Sequence, residues 1–345
     1  MDILSFAASA VLLSLLLLAL DYAKDRGLLI ASHQPLANKI IVITGAAGGL
    51  GRALALEFAR RGAILALWDV RADALRDCVS WLIGECGVPP ASVHSSVVDV
   101  ADAGAIGAAA RAQLAALGPA HVVVSNAAVV NGERLLDASE ERLRASFAVN
   151  VLSHLWIARA LLPQQRSSSS SSSDHGNGDG SSNHGSSSGV GGAGGGSNSA
   201  TFVTIGSLMA EVPAARLGDY CASKAALLQL HECLRWELSR SESSGVHCLH
   251  VQPHMIDTPL FNGGKPGRFG WVRALLPPLR ATTVASRVVR AVETRRERIV
   301  VPYALKWLPP LLSLLPSALR DVALDLAGAS CAMDAFEGAR EGVFT

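Results

Sequence analysis

An α/β fold built on a doubly wound parallel sheet, in a single domain, is what this 345-residue sequence predicts, on three observations. Seven short apolar segments, rich in Val and Ile, alternate with helix-like segments between residues 39 and 303. Most of them show no polar alternation, as expected of strands covered by helices on both faces. The first runs straight into a glycine-rich turn that opens a helix, which is how such sheets begin.

Composition sets the frame. Half of the residues are hydrophobic, 17% are charged and the formal net charge is +1, so ample apolar surface exists for a core and a disordered or collagen-like chain is excluded. Near-zero charge without a long basic run gives no reason to expect a nucleic-acid partner. Six cysteines (Cys78, Cys86, Cys221, Cys233, Cys248 and Cys331) are scattered without a CxxC pair. That is neither a disulfide framework nor a zinc pattern, and no metal is expected.

In chain order, residues 3–20 carry no charge, and this run of 18 sits at the lower limit of what crosses a bilayer. Met1-Asp2 lacks the basic start of a cleaved signal, while Lys24, Arg26 and Lys39 follow the run. Residues 1–25 are therefore expected to be an uncleaved membrane anchor, spanning or one-sided, with the following chain in the cytosol. A buried first helix is the alternative. The α/β unit that follows is placed at residues 37–303, with an apolar C-terminal extension over 304–345.

The first strand, 39–44, leads into Thr44-Gly45-Ala46-Ala47-Gly48-Gly49-Leu50-Gly51 and a helix over 51–61. Glycines there permit a tight turn and close approach of backbone amides to a pyrophosphate, at which the helix points its positive end. The second strand, 63–70, ends at Asp69, 18 residues past Gly51. A carboxylate at that place binds an adenosine ribose and repels a 2′-phosphate, which favours NAD over NADP, although Arg71 softens the preference. Further strands are expected at 95–100, 121–126, 200–207, 246–253 and 298–303.

Between helix and strand, residues 167–199 hold 14 Ser and 10 Gly among 33 residues. Such a segment cannot bury enough surface to offset its ordering entropy, so a disordered insertion is expected. Its ten glycines account for the chain's glycine excess. An insertion between a helix and the next strand falls at the edge of the sheet opposite the ligand-binding edge.

On a helix over 219–240, Tyr220 and Lys224 are four apart and share one face. An ammonium one turn away favours the phenolate and lowers the tyrosine pKa, giving a usable proton donor and acceptor. Ser207, at a strand end 13 residues upstream, is able to hold a carbonyl or alcohol oxygen. His247 and His250, three apart on one strand, point to opposite faces and are poor co-ligands, and His231 reads as a packed or surface side chain.

The TGxxxGxG turn, the Ser207–Tyr220–Lys224 spacing and the β/α order together resemble the classical short-chain dehydrogenase/reductase family, over nearly all of residues 39–303 outside the insertion. Leu67-Trp68-Asp69-Val70, Val149-Asn150-Val151-Leu152-Ser153-His154-Leu155-Trp156 and Asp219-Tyr220-Cys221-Ala222-Ser223-Lys224 resemble the membrane-bound retinol dehydrogenase and 17β-hydroxysteroid dehydrogenase group. The resemblance implies a Rossmann-type fold and a nicotinamide cofactor, NAD first and NADP second. It implies Tyr220 as catalytic acid/base, Lys224 as its tuner and the ligand of the nicotinamide ribose, Ser207 as the group that orients the reacting oxygen, and Asn150 as the anchor of a proton-carrying water. It also places Thr44, Gly45, Gly49, Leu50, Gly51, Asp69, Asp99, Val100, Asn126 and Thr258 at the cofactor, with Asp99 beside the adenine and Thr258 at the carboxamide. The chain departs from the family pattern at Ser125-Asn126-Ala127-Ala128, where Asn-Asn-Ala-Gly is common, and at Pro253-His254, where Pro-Gly is common.

Residues 259–278, the region that covers substrate in such folds, hold Leu260, Phe261, Phe269, Trp271, Leu275 and Leu276, which suits a lipophilic alcohol or ketone. Residues 299–316 are apolar but broken by prolines, and read as membrane-contacting or oligomer-facing surface. The expectation is an oxidoreductase at the endoplasmic reticulum or lipid droplet, facing the cytosol, homo-oligomeric, and exchanging hydride between NAD and a retinoid-like or steroid-like alcohol, ketone or aldehyde. The alternatives are an enzyme of long-chain acyl or fatty ketones and alcohols, and a non-catalytic NAD-binding membrane or lipid-droplet scaffold.

Overall fold

The computed structural model describes residues 16, 19–23, 33–162, 199–240, 245–264, 274 and 276–337. In chain order its strands are β1 Ile40–Thr44, β2 Ile64–Asp69, β3 Val93–Val97, β4 Val122–Ser125, β5 Thr201–Ile205, β6 His247–Pro253, β7 Ile256–Asp257, β8 Leu279–Arg280 and β9 Arg298–Val301. Seven of them form one sheet in the order β3-β2-β1-β4-β5-β6-β9, every pair parallel, and β7 pairs with β8 apart from it. The helices are α1 Gly49–Ala59, α2 Ala72–Gly84, α3 Ala103–Leu117, α4 Glu140–Phe147, α5 Ser153–Leu161, α6 Gly218–Arg240, α7 Ala281–Glu293, α8 Leu308–Ser313 and α9 Ser317–Leu326. A π-helical turn, Ala148–Leu152, joins α4 to α5.

Successive side chains along a strand face opposite ways, so each central strand feeds two cores. Ile41, Ile43, Leu65, Leu67, Val203 and Leu249 pack with Leu54 and Phe58 of α1, Leu75 of α2 and Val288 of α7. Val42, Ala66, Trp68, Val123, Phe202 and Cys248 pack on the other face with Ile106 of α3, Ile157 of α5 and Leu234 of α6. This two-sided cover is why the strands read as continuous apolar runs. Helix starts are fixed locally where side chains permit: Asp102 accepts from the Gly104 N–H before α3, and Ser139 from the Arg142 N–H before α4.

The third strand differs from expectation. It covers Val93–Val97 rather than 95–100, and from His94 onward its residues are exposed. It is the outer strand of the sheet, paired only with β2, and the register closes at Asp69 opposite Val97. Val98, Asp99 and Val100 consequently leave the sheet as a loop at its C-terminal edge.

The expected anchor lies outside the described residues except for Leu16 and residues 19–23, and the Ser/Gly segment does so except for Ser199. Among the described residues no helix is long and apolar enough to cross a membrane. The described flank of the Ser/Gly segment enters the sheet through the Thr201 N–H, which bonds to His121 O at the N-terminal edge. The C-terminal extension, described as far as Glu337, doubles back over the opposite edge. There the Ala215 N–H bonds to Ala329 O at 2.7 Å, Arg216 pairs with Asp334 at 3.4 Å, and Met333 is buried with Leu217 and Tyr220.

Near the C-terminal ends of the strands, the sheet face under α6 turns from apolar to polar. Ser125, Thr204, His250 and Arg298 are successive partners across β4, β5, β6 and β9. His231 of α6 meets Thr204 Oγ1 at 2.9 Å through Nδ1, and His154 of α5 lies close enough to sense His231 and Lys224. His154, His231 and His250 are fully buried.

Burial holds all three rings below the usual histidine range, His231 at about 4. The unfolded chain takes up these protons near pH ~6.5, and the folded chain resists them until far lower. Between those limits the unfolded state binds more protons, so stability falls as pH drops through that window. Urea titration of the full chain in detergent should give a lower midpoint at pH 5 than at pH 7.5, and equal midpoints would show that these rings are not buried in neutral form.

Candidate active site

A cleft of about 350 Å³ opens at the C-terminal edge of the sheet. It lies where the strand order reverses between β1 and β4, the place at which helices leave to opposite faces and a crevice must form.

One half of the cleft is built on the turn after β1. Gly45 has φ +62°, a left-handed conformation that a side chain would strain. A Cβ on Gly51 would stand 2.1 Å from Gly45 O, so only glycine lets α1 seat against the turn. Gly48 caps α1 without a side chain, which leaves the first amides of the helix for an anion in the cleft. Gly49, Leu50, Asp99, Val100, Asn126 and Thr258 also line this half.

Asp69 ends β2 with 4% exposure. Its Oδ2 accepts from the Ala47 N–H at 2.9 Å, and its Oδ1 from the backbone and side chain of Arg71 at 3.0 and 3.2 Å. Asp99 Oδ1 accepts from the Ala101 N–H at 2.8 Å, which braces the loop after β3. Thr44 stands behind the cleft wall: its Oγ1 accepts from the Asn126 and Ala127 N–H groups at 3.0 and 3.2 Å. Asn126 Nδ2 donates back to Thr44 O at 2.9 Å and Gly45 O at 3.2 Å.

Ser207, Tyr220 and Lys224 converge on the other side of the cleft. The Tyr220 hydroxyl and Ser207 are hydrogen-bonded, and Ser207 Oγ accepts from the Met209 N–H at 3.1 Å. Lys224 Nζ donates to Ile205 O at 3.0 Å and lies 5.7 Å from the Tyr220 ring centroid. The expected lowering of the tyrosine pKa is reversed in the chain alone. Burial pushes Tyr220 above its ordinary range, the Ser207 bond opposing it only in part, and burial pulls Lys224 down to about 7. Desolvation penalises phenolate and ammonium alike.

Asn150 is buried in the π-helical turn, away from the cleft wall. Its Oδ1 accepts from the Val129 N–H at 2.9 Å, and its Nδ2 donates to Val129 O, Ser146 Oγ and Ser223 Oγ. The side chain is thus spent on protein groups, tying the loop after β4 to α6.

The floor and roof beyond Tyr220 are apolar. Leu260, Phe261 and Leu276 line it from the expected covering region, Phe261 edge-on to Tyr220 at 5.8 Å. Phe269, Trp271 and Leu275 lie outside the described residues. The sequence reading missed Leu305, Leu308, Leu324, Ala329 and Ala332, which the returning extension brings to the same wall. Apolar composition was their only signal, and it does not say where a chain folds back. His254 also lines the cleft, and its ring nitrogens have no partner among the described residues.

A glycine turn able to cradle a pyrophosphate, a carboxylate at the second strand end and a Ser–Tyr–Lys cluster thus share one cleft with an apolar chamber. The comparisons agree with that chemistry. Residues 39–172 and 196–266 match the short chain dehydrogenase family model. Retinol dehydrogenase 10-A of Danio rerio is 28% identical over 317 residues, covering 86% of this chain and 84% of the relative. Retinol dehydrogenase 10 of Homo sapiens is 27% identical over 315 residues, covering 85% and 83%. A short chain dehydrogenase/reductase from Burkholderia phymatum, solved in complex with NAD, superposes with a TM-score of 0.63 at 26% identity, covering 85% of this chain and 96% of that one. Fold, cleft and sequence likeness converge: the chain belongs to the short-chain dehydrogenase family, and it is an NAD(P)-dependent oxidoreductase.

Proposed function

We propose that the enzyme transfers hydride between NAD and a lipophilic alcohol, ketone or aldehyde of retinoid or steroid type. The observation that carries this reading is that Ser207, Tyr220 and Lys224 sit at the junction of the glycine-turn half and the apolar half of one cleft. The residues present fit a dinucleotide: Gly45 and Gly51, where a Cβ would strike backbone, let the turn close tightly against α1, and α1 presents uncapped amides to the cleft. When bound, the nicotinamide ring supplies the hydride acceptor or donor.

In this reading Tyr220 takes or gives the proton of the reacting oxygen, and Ser207 orients that oxygen. Lys224 holds the nicotinamide ribose and biases Tyr220, while Asn150, at the π-helical turn, fixes the loop after β4 against α6 and anchors the water that leads protons from Lys224 to solvent. Gly45, Gly49, Leu50 and Gly51 hold the pyrophosphate, with Thr44 fixing their turn from behind, Asp69 the adenosine ribose, Asp99 and Val100 the adenine, and Asn126 and Thr258 the nicotinamide end. A positive charge held near Tyr220 would favour the phenolate, opposing what burial does in the chain alone. The buried Asp69 carboxylate supports NAD over NADP, since a 2′-phosphate there would meet a like charge. Arg71, held by that carboxylate, keeps NADP possible.

The location proposed is a membrane surface of the endoplasmic reticulum or lipid droplet, with the catalytic unit in the cytosol and residues 1–25 as the anchor. Asp21 receives hydrogen bonds from Tyr303 at 2.6 Å and Lys306 at 2.5 Å, which joins the end of the apolar run to the C-terminal extension. Leu311, Leu314, Leu319 and Val322 of that extension are exposed, which supports a lipid-facing side. Homo-oligomerisation is part of the proposal, supported by exposed Phe147 and Leu152. The Ser/Gly insertion leaves the site intact because its flank enters at the opposite sheet edge.

Two measurements on the full chain test these assignments. With retinol, steroids and long-chain alcohols offered, Tyr220→Phe should lose roughly 100- to 10,000-fold in turnover while keeping NAD affinity. A panel without any substrate for the wild type, together with NAD binding unchanged in the variant, would favour a binding scaffold. Asp69→Ala should raise NADP turnover relative to NAD, because the carboxylate is removed and Arg71 is freed for a phosphate. An unchanged cofactor ratio would defeat that account of Asp69.

A further inference from the structure

A second cavity, of about 310 Å³, lies between α7, β9 and the residues that follow β9, and shares no described lining residue with the catalytic cleft. Thr283, Arg287, Arg290 and Thr294 line it at i, i+4, i+7 and i+11, one stripe along α7 and its end. Val284, Val288 and Val292 of the same helix are buried in the core, so the stripe is the polar side of an amphipathic helix. Arg296, just past the helix, adds a third guanidinium. Leu279, Ile299 and Val301 make an apolar part of the wall. Tyr22 and Tyr303, also in the lining, meet edge-on with 5.5 Å between ring centroids.

Charge in this cavity is one-sided, since none of its described lining residues is acidic. Of the acids next to lining residues, Glu293 pairs with Arg61 at 2.8 Å and Glu297 with Arg235 at 3.7 Å. Asp21 accepts from Tyr303 and Lys306 and lies within electrostatic reach of Arg296, one acid against Lys306 and three arginines. A basic last turn complements the helix dipole, which accounts for Arg290. It does not account for Arg287 a turn earlier, for Arg296 beyond the end, or for the cavity they share. Guanidinium groups bind phosphate through paired N–H donors, and the Thr283 hydroxyl can donate to a further oxygen. Position in the chain selects the source of that phosphate. Tyr22 stands two residues past Leu20, where the uncharged run 3–20 ends, and exposed Leu311, Leu314 and Leu319 follow Tyr303. Tyrosines and basic side chains gather at the membrane–water boundary, where the basic ones meet acidic headgroups.

We propose that this cavity binds the headgroup phosphate of an anionic phospholipid, with Arg287, Arg290 and Arg296 on the phosphate and the apolar wall beside the start of the acyl chains. The inference rests on the membrane location proposed above and adds to it a lipid class and a site. Residues 1–25 hold the chain at the surface in that reading, so the headgroup contact is effectively intramolecular and modest affinity is sufficient. A single anchor leaves the catalytic unit free to swivel against the bilayer. A headgroup held beside Tyr303 fixes that rotation and turns the C-terminal extension, which also lines the apolar chamber, toward the lipid.

The test uses the full chain in nonionic detergent micelles doped with phosphatidic acid or with phosphatidylcholine of the same acyl chains, and native mass spectrometry to count retained lipid. The wild type should retain one phosphatidic acid per chain, with a preference of roughly tenfold over phosphatidylcholine. Arg287→Gln combined with Arg290→Gln should abolish that preference. Arg111→Gln, an exposed change on α3 at the other face of the sheet, should keep it. Equal retention of the two lipids by the wild type would overturn the site, as would an unchanged preference in the double variant. An equal loss in Arg111→Gln would also overturn it, by showing diffuse surface charge. Displacement of phosphatidic acid by equimolar glycerol 3-phosphate or inorganic phosphate would replace the lipid with a soluble phosphate. Should the double variant fail to fold, Arg287→Lys keeps the charge but loses the planar fork, and should still lower the preference. An unchanged preference there would count against the site equally. Flotation of the wild type with neutral phosphatidylcholine vesicles is measured alongside. Failure to float would bring down the membrane location, whereas flotation without an anionic preference removes the headgroup site alone.

Discussion

The lock between Thr44 and Asn126 is the contact on which the site depends. At the strand-order reversal, β1 and β4 send their chains to opposite faces, and nothing in the sheet ladder holds their ends together beyond the last pairing, Ile43 with Val124. Thr44 Oγ1 takes two backbone N–H groups from the β4 side, and Asn126 returns its amide to two carbonyls on the β1 side. Four hydrogen bonds across the crevice set its width. The glycine turn, Asp69 and the loop braced by Asn150 are all placed relative to that closed edge.

Burial then decides the chemistry of the site. Tyr220 and Lys224 are nearly or wholly buried, and the same desolvation that raises one lowers the other. A phenol held in its neutral form by burial is poorly prepared to act as a base, and a positive charge near it would favour the phenolate. The histidines beneath obey the same rule. Their neutral form is the one the core accepts.

The C-terminal extension gives the chamber its apolar character. Leu305, Leu308 and Leu324 come from beyond the last sheet strand and join Leu260, Phe261 and Leu276 in lining it, Leu276 packing in one cluster with them. Backbone and ionic ties at Ala215–Ala329 and Arg216–Asp334 close it. The same stretch exposes Leu311, Leu314 and Val322 on its outer side, so one segment serves both the chamber and the outer apolar surface.

Local pattern was sufficient for much of this. Continuous Val/Ile runs marked the buried strands because a strand covered on both faces has no polar side, and the glycine spacing marked the turn because Gly51 tolerates no Cβ beside Gly45 O. The Tyr220–Lys224 spacing placed both side chains on one face of a helix by periodicity alone. The sequence failed where the answer depended on neighbours distant in the chain. The third strand ended at Val97 because the register with β2 ended there, and the Tyr220 pKa rose because burial, invisible in a list of residues, outweighed the neighbouring Ser207. His154, His231 and His250, spread over nearly 100 residues, read singly as ordinary side chains. Only the sheet register and the face of α6 brought them together behind Lys224, because parallel pairing aligns residues whose spacing along the chain carries no trace of it.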